Sequence, residues 1–406
     1  MDHFLKAVKI TDKVYWVGVI DWNLRNFHGY ITEHGSTYNA FLVLDEKITL
    51  IDTVKAPFYD QMMARIRSVI DPEKIDYIVS NHSEMDHSGA LPMAIRDIKP
   101  EKLFASPNGE KNLNAQLKLG MEVTVVKTGD SVSIGQNNLS FVQTQMLHWP
   151  DSMFTYLSDE KILFSQDAFG RHFASSKLFY DEHEQPIMEW EGEKYFANIL
   201  MPYSKQLLKL LADFPKLNLD VTYIFPDHGP LLRRPEDIAR TFELNKMWAE
   251  QKPVKRAVVL YDTMWHATQR MADSIADGIS STGVEVDEIA IQQSSRSQVA
   301  TKLTDAGAII AGSPTLNNNL LPSMADVLTY LRGLRPMNKI GFAFASYGWS
   351  GESLKQVNTY LSEMNVELTN EGLSCKYSPD MDMLEKCFEA GRELGLKLIA
   401  KVDSNQ

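Results

Sequence analysis

The chain has 406 residues, of which 44% are hydrophobic and 23% are charged, and its formal net charge is −12. This composition is that of an ordinary soluble globular protein of two or three domains and excludes disorder and fibres. The acidic balance and dispersed basic residues argue against a nucleic-acid or anionic-membrane partner. No apolar run reaches the roughly 18–20 residues of a transmembrane helix. The two cysteines exclude a disulfide framework and a four-cysteine iron–sulfur centre, so we expect a cytoplasmic protein.

The first part of the chain, residues 1–250, has the pattern of a layered α/β domain that is rich in sheet. Strand-like apolar runs occur at 14–20, 39–54 and 74–82. Residues 56–70 have the apolar spacing of a helix.

The second part, residues 254–402, follows a polar, proline-containing stretch at 249–256 that predicts a linker. Short apolar runs predict strands at 255–262, 284–291, 308–314, 339–348 and 367–377. Helical periodicity predicts helices at 268–283, 296–307, 323–334, 351–365 and 383–402. Strands and helices that alternate in this way indicate a doubly wound parallel sheet of flavodoxin size.

The stretch NHSEMDHSG at 81–89 follows a predicted strand and concentrates potential metal ligands in a loop. Four of them occupy six positions: His82, Glu84, Asp86 and His87. Histidine and carboxylate side chains are costly to crowd together without a partner, and a metal ion would pair them. An H-x-E-x-D-H turn cannot easily wrap one ion with four ligands, but it can point alternate side chains at two neighbouring ions. The alternative is a polar, glycine-terminated loop at a helix start.

Three further candidates lie at the ends of other predicted strands, where a rigid scaffold presents functional groups. They are His148 in QMLHWPDS, Asp167 in ILFSQDAFG and His228 in IFPDHGP. Each alone is more typical of a hydrogen-bonded structural residue or a turn former. Together with the first motif, and in this order, they predict a centre with two metal ions.

Three loops of the second part follow its first, third and fourth strands, at 261–272, 312–322 and 346–352. Hydroxyls and backbone N–H groups at a helix start suit a phosphate, and aromatic side chains suit stacking on a flat ring. The candidate ligand residues are Thr263, Met264, Trp265, His266, Ala267, Thr268, Ser313, Pro314, Thr315, Asn317, Ser346, Tyr347, Gly348, Trp349 and Gly351. The three loops in register resemble a flavodoxin, which implies flavin mononucleotide (FMN).

The order of the metal motifs resembles the metallo-β-lactamase superfamily, which implies an αβ/βα sandwich with two metals at its edge. Zinc hydrolases of that superfamily typically have histidine where this sequence has Glu84, and a carboxylate shifts the preference toward iron or manganese. The ligand sets implied by the resemblance are His82, Glu84 and His148 for one iron, Asp86, His87 and His228 for the other, and Asp167 as the bridge.

A metallo-β-lactamase-like domain followed by a flavodoxin-like domain resembles the flavodiiron protein family, over essentially the whole chain. Further matching segments are GSTYNAFLV (35–43), MLHWPDSMFTY (146–156), YFANIL (195–200) and RGLRP (332–336). The resemblance implies an enzyme that reduces dioxygen to water, nitric oxide to nitrous oxide, or both, with electrons passing through FMN to a diiron centre.

The resemblance also implies partners. Longer members of the family carry a rubredoxin module with paired C-x-x-C motifs, and this sequence has none. We therefore expect an external electron donor, rubredoxin or a reduced deazaflavin. Because the two sets of loops are expected at far ends of their domains, the resemblance implies a head-to-tail homodimer, or a tetramer of two such dimers.

Two histidines outside the ligand set, His28 and His172, are candidates for contacts around the metals or for polarity in a gas pocket. A structural role is the alternative for both. Many relatives have tyrosine where this sequence has Phe196, which leaves the preference for dioxygen or nitric oxide open. The competing functions are a hydrolase with a regulatory flavodoxin domain and a non-catalytic electron carrier. Glu84 and the complete set of flavin loops favour the oxidoreductase.

Overall fold

The computed structural model describes residues 4–404 and divides into two compact units. One unit comprises the chain up to Tyr195 together with Lys205–Lys246. The other comprises Phe196–Ser204 and the chain from Met247 onward. Within residues 4–404, no helix combines the length and the apolar character needed to cross a bilayer.

The first unit is built on two main sheets. Its strands are β1 (Val8–Lys9), β2 (Val14–Trp16), β3 (Val19–Asp21), β4 (Asn26–Phe27), β5 (Tyr30–Ile31), β6 (Ser36–Tyr38), β7 (Phe41–Val43), β8 (Thr49–Ile51), β9 (Tyr77–Val79), β10 (Lys102–Ala105), β11 (Val123–Val125), β12 (Ser131–Ser133), β13 (Asn138–Gln143), β14 (Met153–Leu157), β15 (Ile162–Gln166) and β16 (Tyr223–Pro226). One sheet has the order β1-β2-β7-β8-β9-β10-β11 and the other has the order β12-β13-β14-β15-β16. Two small ribbons, β3-β6 and β4-β5, complete the strand pairing.

Helices alternate with the strands in this part of the chain. They are α1 (Tyr59–Arg67), α2 (Met85–Ser88), α3 (Leu91–Ile98), α4 (Pro107–Gln116), α5 (Gln185–Tyr195), α6 (Ser204–Asp213) and α7 (Pro235–Glu250). A π-helical turn, Phe196–Leu200, follows α5 directly. Single 3₁₀ turns lie at Ala56–Phe58, Pro72–Lys74, Tyr180–Glu182, Met201–Tyr203, Phe214–Leu217 and Ile291–Gln293.

Alternation along the strands explains why this unit is layered. Successive side chains of a strand point to opposite faces. Ile78 packs in the core that the first sheet shares with helices, whereas its neighbour Val79 packs in the core that contains Phe164 and Phe225 of the second sheet. The two sheets therefore face each other, which confirms the metallo-β-lactamase-like sandwich.

Some boundaries in the first unit differ from the sequence prediction. The run 14–20 forms two strands, β2 and β3, which belong to different sheets. Between them the backbone of Gly18 passes so close to the chain that an added Cβ would lie 2.4 Å from the carbonyl oxygen of Tyr38. The apolar pattern does not reveal this break, because both strands are apolar.

The second unit is a parallel sheet with helices. Its strands are β17 (Val254–Tyr261), β18 (Glu285–Ala290), β19 (Ala306–Leu316), β20 (Asn319–Leu320), β21 (Ile340–Tyr347), β22 (Glu367–Leu368) and β23 (Leu373–Lys376). Its helices are α8 (Ala267–Ser280), α9 (Arg296–Lys302), α10 (Pro322–Leu334), α11 (Glu352–Glu363) and α12 (Met381–Asp403). The sheet order is β18-β17-β19-β21-β22, and β23 also pairs with β21.

This order, with the first strand between the second and the third, confirms the flavodoxin-like doubly wound sheet. Two differences from the prediction concern lengths. The last strand is interrupted into β22 and β23 around Gly372, whose φ of +95° favours glycine, and α9 ends at Lys302.

Candidate metal centre and ligand cavity

Four of the candidate metal ligands come from the segment that follows β9. The chain leaves this strand at Val79, crosses a buried loop and enters the short helix α2. The hydroxyl of Ser88 donates to the carbonyl oxygen of Ser83, at 2.8 Å, and Thr53 donates to the carbonyl oxygen of His87, at 2.5 Å. These bonds fix the loop and the helix as one unit.

The other three candidates come from the second sheet. His148 lies between β13 and β14, Asp167 follows β15, and His228 lies two residues after β16. The strands β15 and β16 are parallel neighbours, so their carboxyl ends meet at the same edge. The structure thus brings all seven sequence-predicted side chains together.

Asp167 lies between two groups of imidazoles. Its Oδ2 is 2.9 Å from Nε2 of His148 and 3.4 Å from Nε2 of His82. Its Oδ1 is 3.2 Å from Nε2 of His87 and 3.3 Å from Nε2 of His228. Each carboxylate oxygen therefore faces a different pair of histidines, which is the geometry of a bridging ligand.

The remaining carboxylates extend the same division. Glu84 Oε2 lies 3.1 Å from Nε2 of His148 and 3.4 Å from Nε2 of His82. Asp86 Oδ2 lies 3.3 Å from Nε2 of His228, and its Oδ1 lies 3.5 Å from Nε2 of His87. The ligand atoms of each group lie within 4.8 Å of one another: His82, Glu84, His148 and Asp167 in one group, and Asp86, His87 and His228 in the other.

The hydrogen bonding of the cluster fits metal ions. Within residues 4–404, several buried atoms at its centre have no hydrogen-bond partner: Nε2 of His82, both oxygens of Asp86, Nε2 of His87 and Oδ1 of Asp167. Unsatisfied buried polar atoms are rare and costly, and cations bound between them would satisfy all of them. A mixed nitrogen and oxygen donor set suits iron.

The carboxylates are held ionised. Burial alone would raise the pKa of Asp167, but the imidazoles of His87, His148 and His82 outweigh it and hold that pKa well below the usual range. Burial likewise opposes ionisation of Glu84, and the neighbouring imidazoles of His148 and His82 lower its pKa nevertheless. An ionised carboxylate is the form that binds a cation.

Three of the candidate ligand imidazoles have an oxygen atom next to Nδ1, the ring nitrogen that faces away from the cluster. Nδ1 of His82 lies 3.3 Å from Oδ2 of Asp151, and Nδ1 of His87 lies 3.4 Å from Oδ2 of Asp227. Nδ1 of His228 donates to the carbonyl oxygen of Thr37, at 2.7 Å. Such partners fix the ring and its tautomer so that Nε2 faces the metal.

Sequence reasoning missed Asp151 and Asp227, although both stand inside the motifs around His148 and His228. His172 is fully buried, with Nδ1 2.7 Å from Oγ of Ser36 and its ring 4.5 Å from that of His228. His28 is largely exposed, and its Nε2 lies 3.9 Å from Oε1 of Glu84.

The position of Phe196 differs from that of the tyrosine before it. Phe196 packs on Trp248 at a ring distance of 6.0 Å. Tyr195 packs on His172 at 5.2 Å, and its buried hydroxyl has no hydrogen-bond partner within residues 4–404. Of these two neighbouring residues, Tyr195 is therefore the one whose ring packs beside the metal cluster, against His172 and His228.

The second unit holds a cavity of about 490 Å³ at the carboxyl ends of its strands. Ten of the predicted ligand residues line it: Met264, Trp265, Ala267, Pro314, Thr315, Asn317, Ser346, Tyr347, Gly348 and Trp349. The other five are absent from its lining: Thr263, His266, Thr268, Ser313 and Gly351. Thr268 and Ser313 are buried, and the hydroxyl of Thr268 lies 2.8 Å from that of Ser346, which lines the cavity.

Five lining residues were missed: Leu316, Asn318, Ser350, Tyr377 and Ser378. Tyr377 directly follows β23, so its position could have been expected from the parallel sheet. The cavity has a size typical of a ligand site. Trp265 and Trp349 are 94% and 88% exposed, which leaves both indoles available to stack on a flat ring.

Comparisons with known proteins agree with the folds of both units. The profile of the ODP family of beta lactamases matches residues 37–229, and the flavodoxin profile matches residues 259–391. A nitric oxide reductase of Moorella thermoacetica is 42% identical over 97% of this chain and 99% of its own length. A rubredoxin-oxygen oxidoreductase of Megalodesulfovibrio gigas is 41% identical over 98% of this chain and 100% of its own length.

Solved structures show the same likeness. The rubredoxin oxygen:oxidoreductase of Desulfovibrio gigas superimposes with a TM-score of 0.95, at 41% identity, over 98% of this chain and 100% of that one. The flavodiiron protein of Giardia intestinalis superimposes with a TM-score of 0.95, at 33% identity, over the full length of both chains.

The fold and the two sites define a two-domain flavoenzyme of the oxidoreductase class. The chain belongs to the flavodiiron protein family. The cofactors of this family are FMN and a diiron centre, and the cavity of the second unit and the seven-residue cluster of the first fit them. The alternative of a hydrolase with a regulatory flavodoxin domain is thereby rejected.

Proposed function

We propose that this protein reduces dioxygen to water, nitric oxide to nitrous oxide, or both, with electrons from an external donor. The observation that carries the proposal is Asp167, whose two oxygens face separate pairs of histidines. We assign the iron ligands as His82, Glu84 and His148 for one ion, Asp86, His87 and His228 for the other, and Asp167 as the bridge.

The cofactors and the side chains have different roles in this reaction. Bound irons and FMN supply redox chemistry that side chains lack, and together they can store four electrons, the number that one dioxygen requires. The protein's residues hold and orient these groups. Asp151, Asp227 and the carbonyl of Thr37 fix the imidazoles, while Tyr195 and His172 form a buried wall beside them.

We assign the FMN site to the ten predicted residues that line the cavity. The buried residues Thr268 and Ser313 hold this lining through hydrogen bonds to Ser346 and Pro314. The backbone N–H groups at the start of α8 suit the phosphate. Trp265 and Trp349 suit the flat flavin ring, since both indoles are exposed beside the cavity.

The electron donor is proposed to be rubredoxin, which the name of the Megalodesulfovibrio relative supports. A reduced deazaflavin is the alternative donor. The name of the Moorella relative supports nitric oxide as a substrate. Two buried free cysteines and a net charge of −12 suit a cytoplasmic protein without a nucleic-acid partner.

We propose further that the protein works as a head-to-tail homodimer, alone or paired into a tetramer. Electron transfer requires a flavin to lie close to a pair of metal ions. In a head-to-tail dimer, the flavin of one subunit would lie beside the metals of the other. Exposed apolar side chains occur at both sites, Trp265 and Trp349 at the cavity and Met85 among the metal ligands. Light scattering of the active protein tests this, and a fully active monomer would contradict it.

The function is tested by gas consumption with reduced rubredoxin, in the wild type and in Glu84→His. An imidazole in place of this carboxylate moves the site toward zinc, which has no redox chemistry. We expect loss of the reduction of both gases with FMN binding intact. Glu73→His, at an exposed position of the same unit, is the control. Unchanged turnover in Glu84→His would show that the assignment of the iron pair is wrong.

A further inference from the structure

A buried ion pair lies on α5, outside the metal ligand set. Glu191 and Lys194 are each 1% exposed. Nζ of Lys194 lies 3.4 Å from Oε2 of Glu191, and it also contacts the carboxylate of Glu33. Even a well-paired buried ion pair usually stabilises a protein no more than apolar residues of similar volume would. Such a pair therefore calls for an explanation beyond packing.

Two groups connect this pair to the surface. Nε2 of His34 lies 3.7 Å from Oε1 of Glu191, and the side chain of His34 is 53% exposed. The side chain of Glu33 is 42% exposed. The buried pair therefore reaches solvent through an imidazole on one side and a carboxylate on the other.

A series of ring contacts links Lys194 to His228 of the metal cluster. Nζ of Lys194 lies 5.6 Å from the ring centroid of Tyr30, and that ring lies 5.2 Å from the ring of His172. Tyr195 follows Lys194 in the chain and packs against His172 and His228, at ring distances of 5.2 and 6.1 Å. Its buried hydroxyl has no hydrogen-bond partner within residues 4–404.

We infer that Glu191 and Lys194 form a proton relay that carries protons from His34 and Glu33 to the metal centre. The inference rests on the proposed function, which consumes protons at a buried site. Dioxygen takes up four protons and four electrons to give two waters. Two molecules of nitric oxide take up two protons and two electrons to give nitrous oxide and one water. The donor supplies the electrons, and solvent supplies the protons.

Each step of the relay is a proton transfer between neighbouring groups. The ammonium group of Lys194 first gives a proton inward, on the side where the ring of Tyr30 lies. Glu191, which takes its proton from His34, or Glu33 then returns a proton to the neutral amine of Lys194. Burial raises the pKa of Glu191. The charges of Lys194 and His34 oppose this rise, and the carboxylate of Glu33 adds to it. A raised pKa lets this carboxyl hold a proton closer to neutral pH.

The test follows reoxidation of the fully reduced holoenzyme by dioxygen and by nitric oxide, so that docking of the donor does not limit the rate. Both surface groups converge on Lys194, so Lys194→Ala is the decisive variant. We expect its rate to fall at least about tenfold, with metal and FMN content unchanged. Ethylammonium, which carries exchangeable protons, should restore the rate, and tetramethylammonium, which carries none, should not. Lys209→Ala, which removes an exposed lysine paired with Asp213, is the matched control.

Glu33→Gln/Glu191→Gln, a double variant that preserves side-chain volume, is the second test and decides the matter if Lys194→Ala does not fold. We expect a similar loss of rate and a larger solvent deuterium isotope effect. Either folded variant reacting at the wild-type rate, with the wild-type isotope effect, would overturn the relay. So would a slow Lys194→Ala that ethylammonium and tetramethylammonium leave equally slow. A wild-type protein that consumes neither gas would instead overturn the proposed function.

Discussion

The carboxylate of Asp151 lies next to His82 and outside the candidate ligand set. It is buried, and its Oδ2 accepts from the backbone N–H of Ser83, at 2.6 Å, while facing Nδ1 of His82. Burial opposes ionisation of this carboxyl, and the imidazole of His82 and the N–H of Ser83 lower its pKa nevertheless. An ionised acceptor at Nδ1 makes the opposite nitrogen a better ligand.

Asp151→Asn should therefore weaken the metal bound by the His82 group roughly 10- to 100-fold. The His87 group, which is supported by Asp227, should keep its metal. Metal analysis after dialysis against a weak chelator should give about one retained ion per chain. The control is Asp45→Asn, which removes another buried carboxylate that contacts Lys13 and Asn137 and no metal ligand. Equal loss of both ions in Asp151→Asn would contradict this assignment.

Lys339 gives a prediction about pH. It is 2% exposed and donates to the carbonyl oxygen of Thr304, at 3.3 Å. Burial lowers the pKa of Lys339 from 10.5 to about 7, although Asp305 opposes this. Between these two values the unfolded chain binds more protons than the folded one. This lysine therefore costs stability increasingly as the pH falls from 10.5 toward 7.

Lys339→Met removes that cost, so its stabilising effect on the second unit should be greater at pH 7 than at pH 10. We expect the difference in Tm from wild type to change by a few degrees, since about 1 kcal/mol corresponds to roughly 2–4 °C in a domain of this size. Thermal release of flavin fluorescence is the measurement. The control is Lys397→Met, an exposed lysine that also donates to a carbonyl oxygen. A pH-independent difference for Lys339→Met would contradict the argument.

Single residues also mark the limit of what sequence predicts. The seven candidate metal ligands could be proposed because four of them share one dense motif and the other three lie in segments that follow apolar strands. Asp151 could not, because its partner His82 is 69 positions away and only the folded loops bring them together. Glu191 and Lys194 look like ordinary polar residues of a surface helix in the sequence. Their burial depends on the loop that carries Glu33 and His34.

At the level of elements, regular alternation made the second unit more predictable than the first. Its strands are short buried runs separated by helices, and all of the predicted strands and helices are present. The first unit has short strands that change sheets, such as the pair at 14–20, and the apolar pattern is continuous across the change. The π-helical turn Phe196–Leu200 has no periodic signature and was not predicted.

The loop between β21 and α11 carries Trp349, which is 88% exposed beside the cavity. If the indole stacks on the flavin, Trp349→Ala should raise the Kd for FMN about tenfold, since an aromatic pair contributes roughly 0.5–1.5 kcal/mol beyond burial. Flavin fluorescence titration of the FMN-free protein measures this. Trp190→Ala, on α5 of the first unit and outside the cavity lining, is the control. An unchanged Kd in Trp349→Ala would place the flavin ring elsewhere.

At the level of the whole molecule, the chain combines a unit that binds metals with a unit that binds a flavin. Neither fold alone determines the chemistry, because a sandwich of this type supports hydrolases and a flavodoxin fold supports electron carriers. The carboxylate Glu84 in the metal cluster distinguishes this chain from the hydrolases. The metal cluster itself, beside the full set of loops at the cavity, distinguishes it from a simple electron carrier. The central claim is that one chain holds both redox cofactors.

The most direct test is the metal and flavin content of protein expressed with iron available. Two irons and one FMN per chain are the result that the structure and the family predict. Two zinc ions that persist under iron supply, with hydrolytic activity, would contradict the account of the first unit.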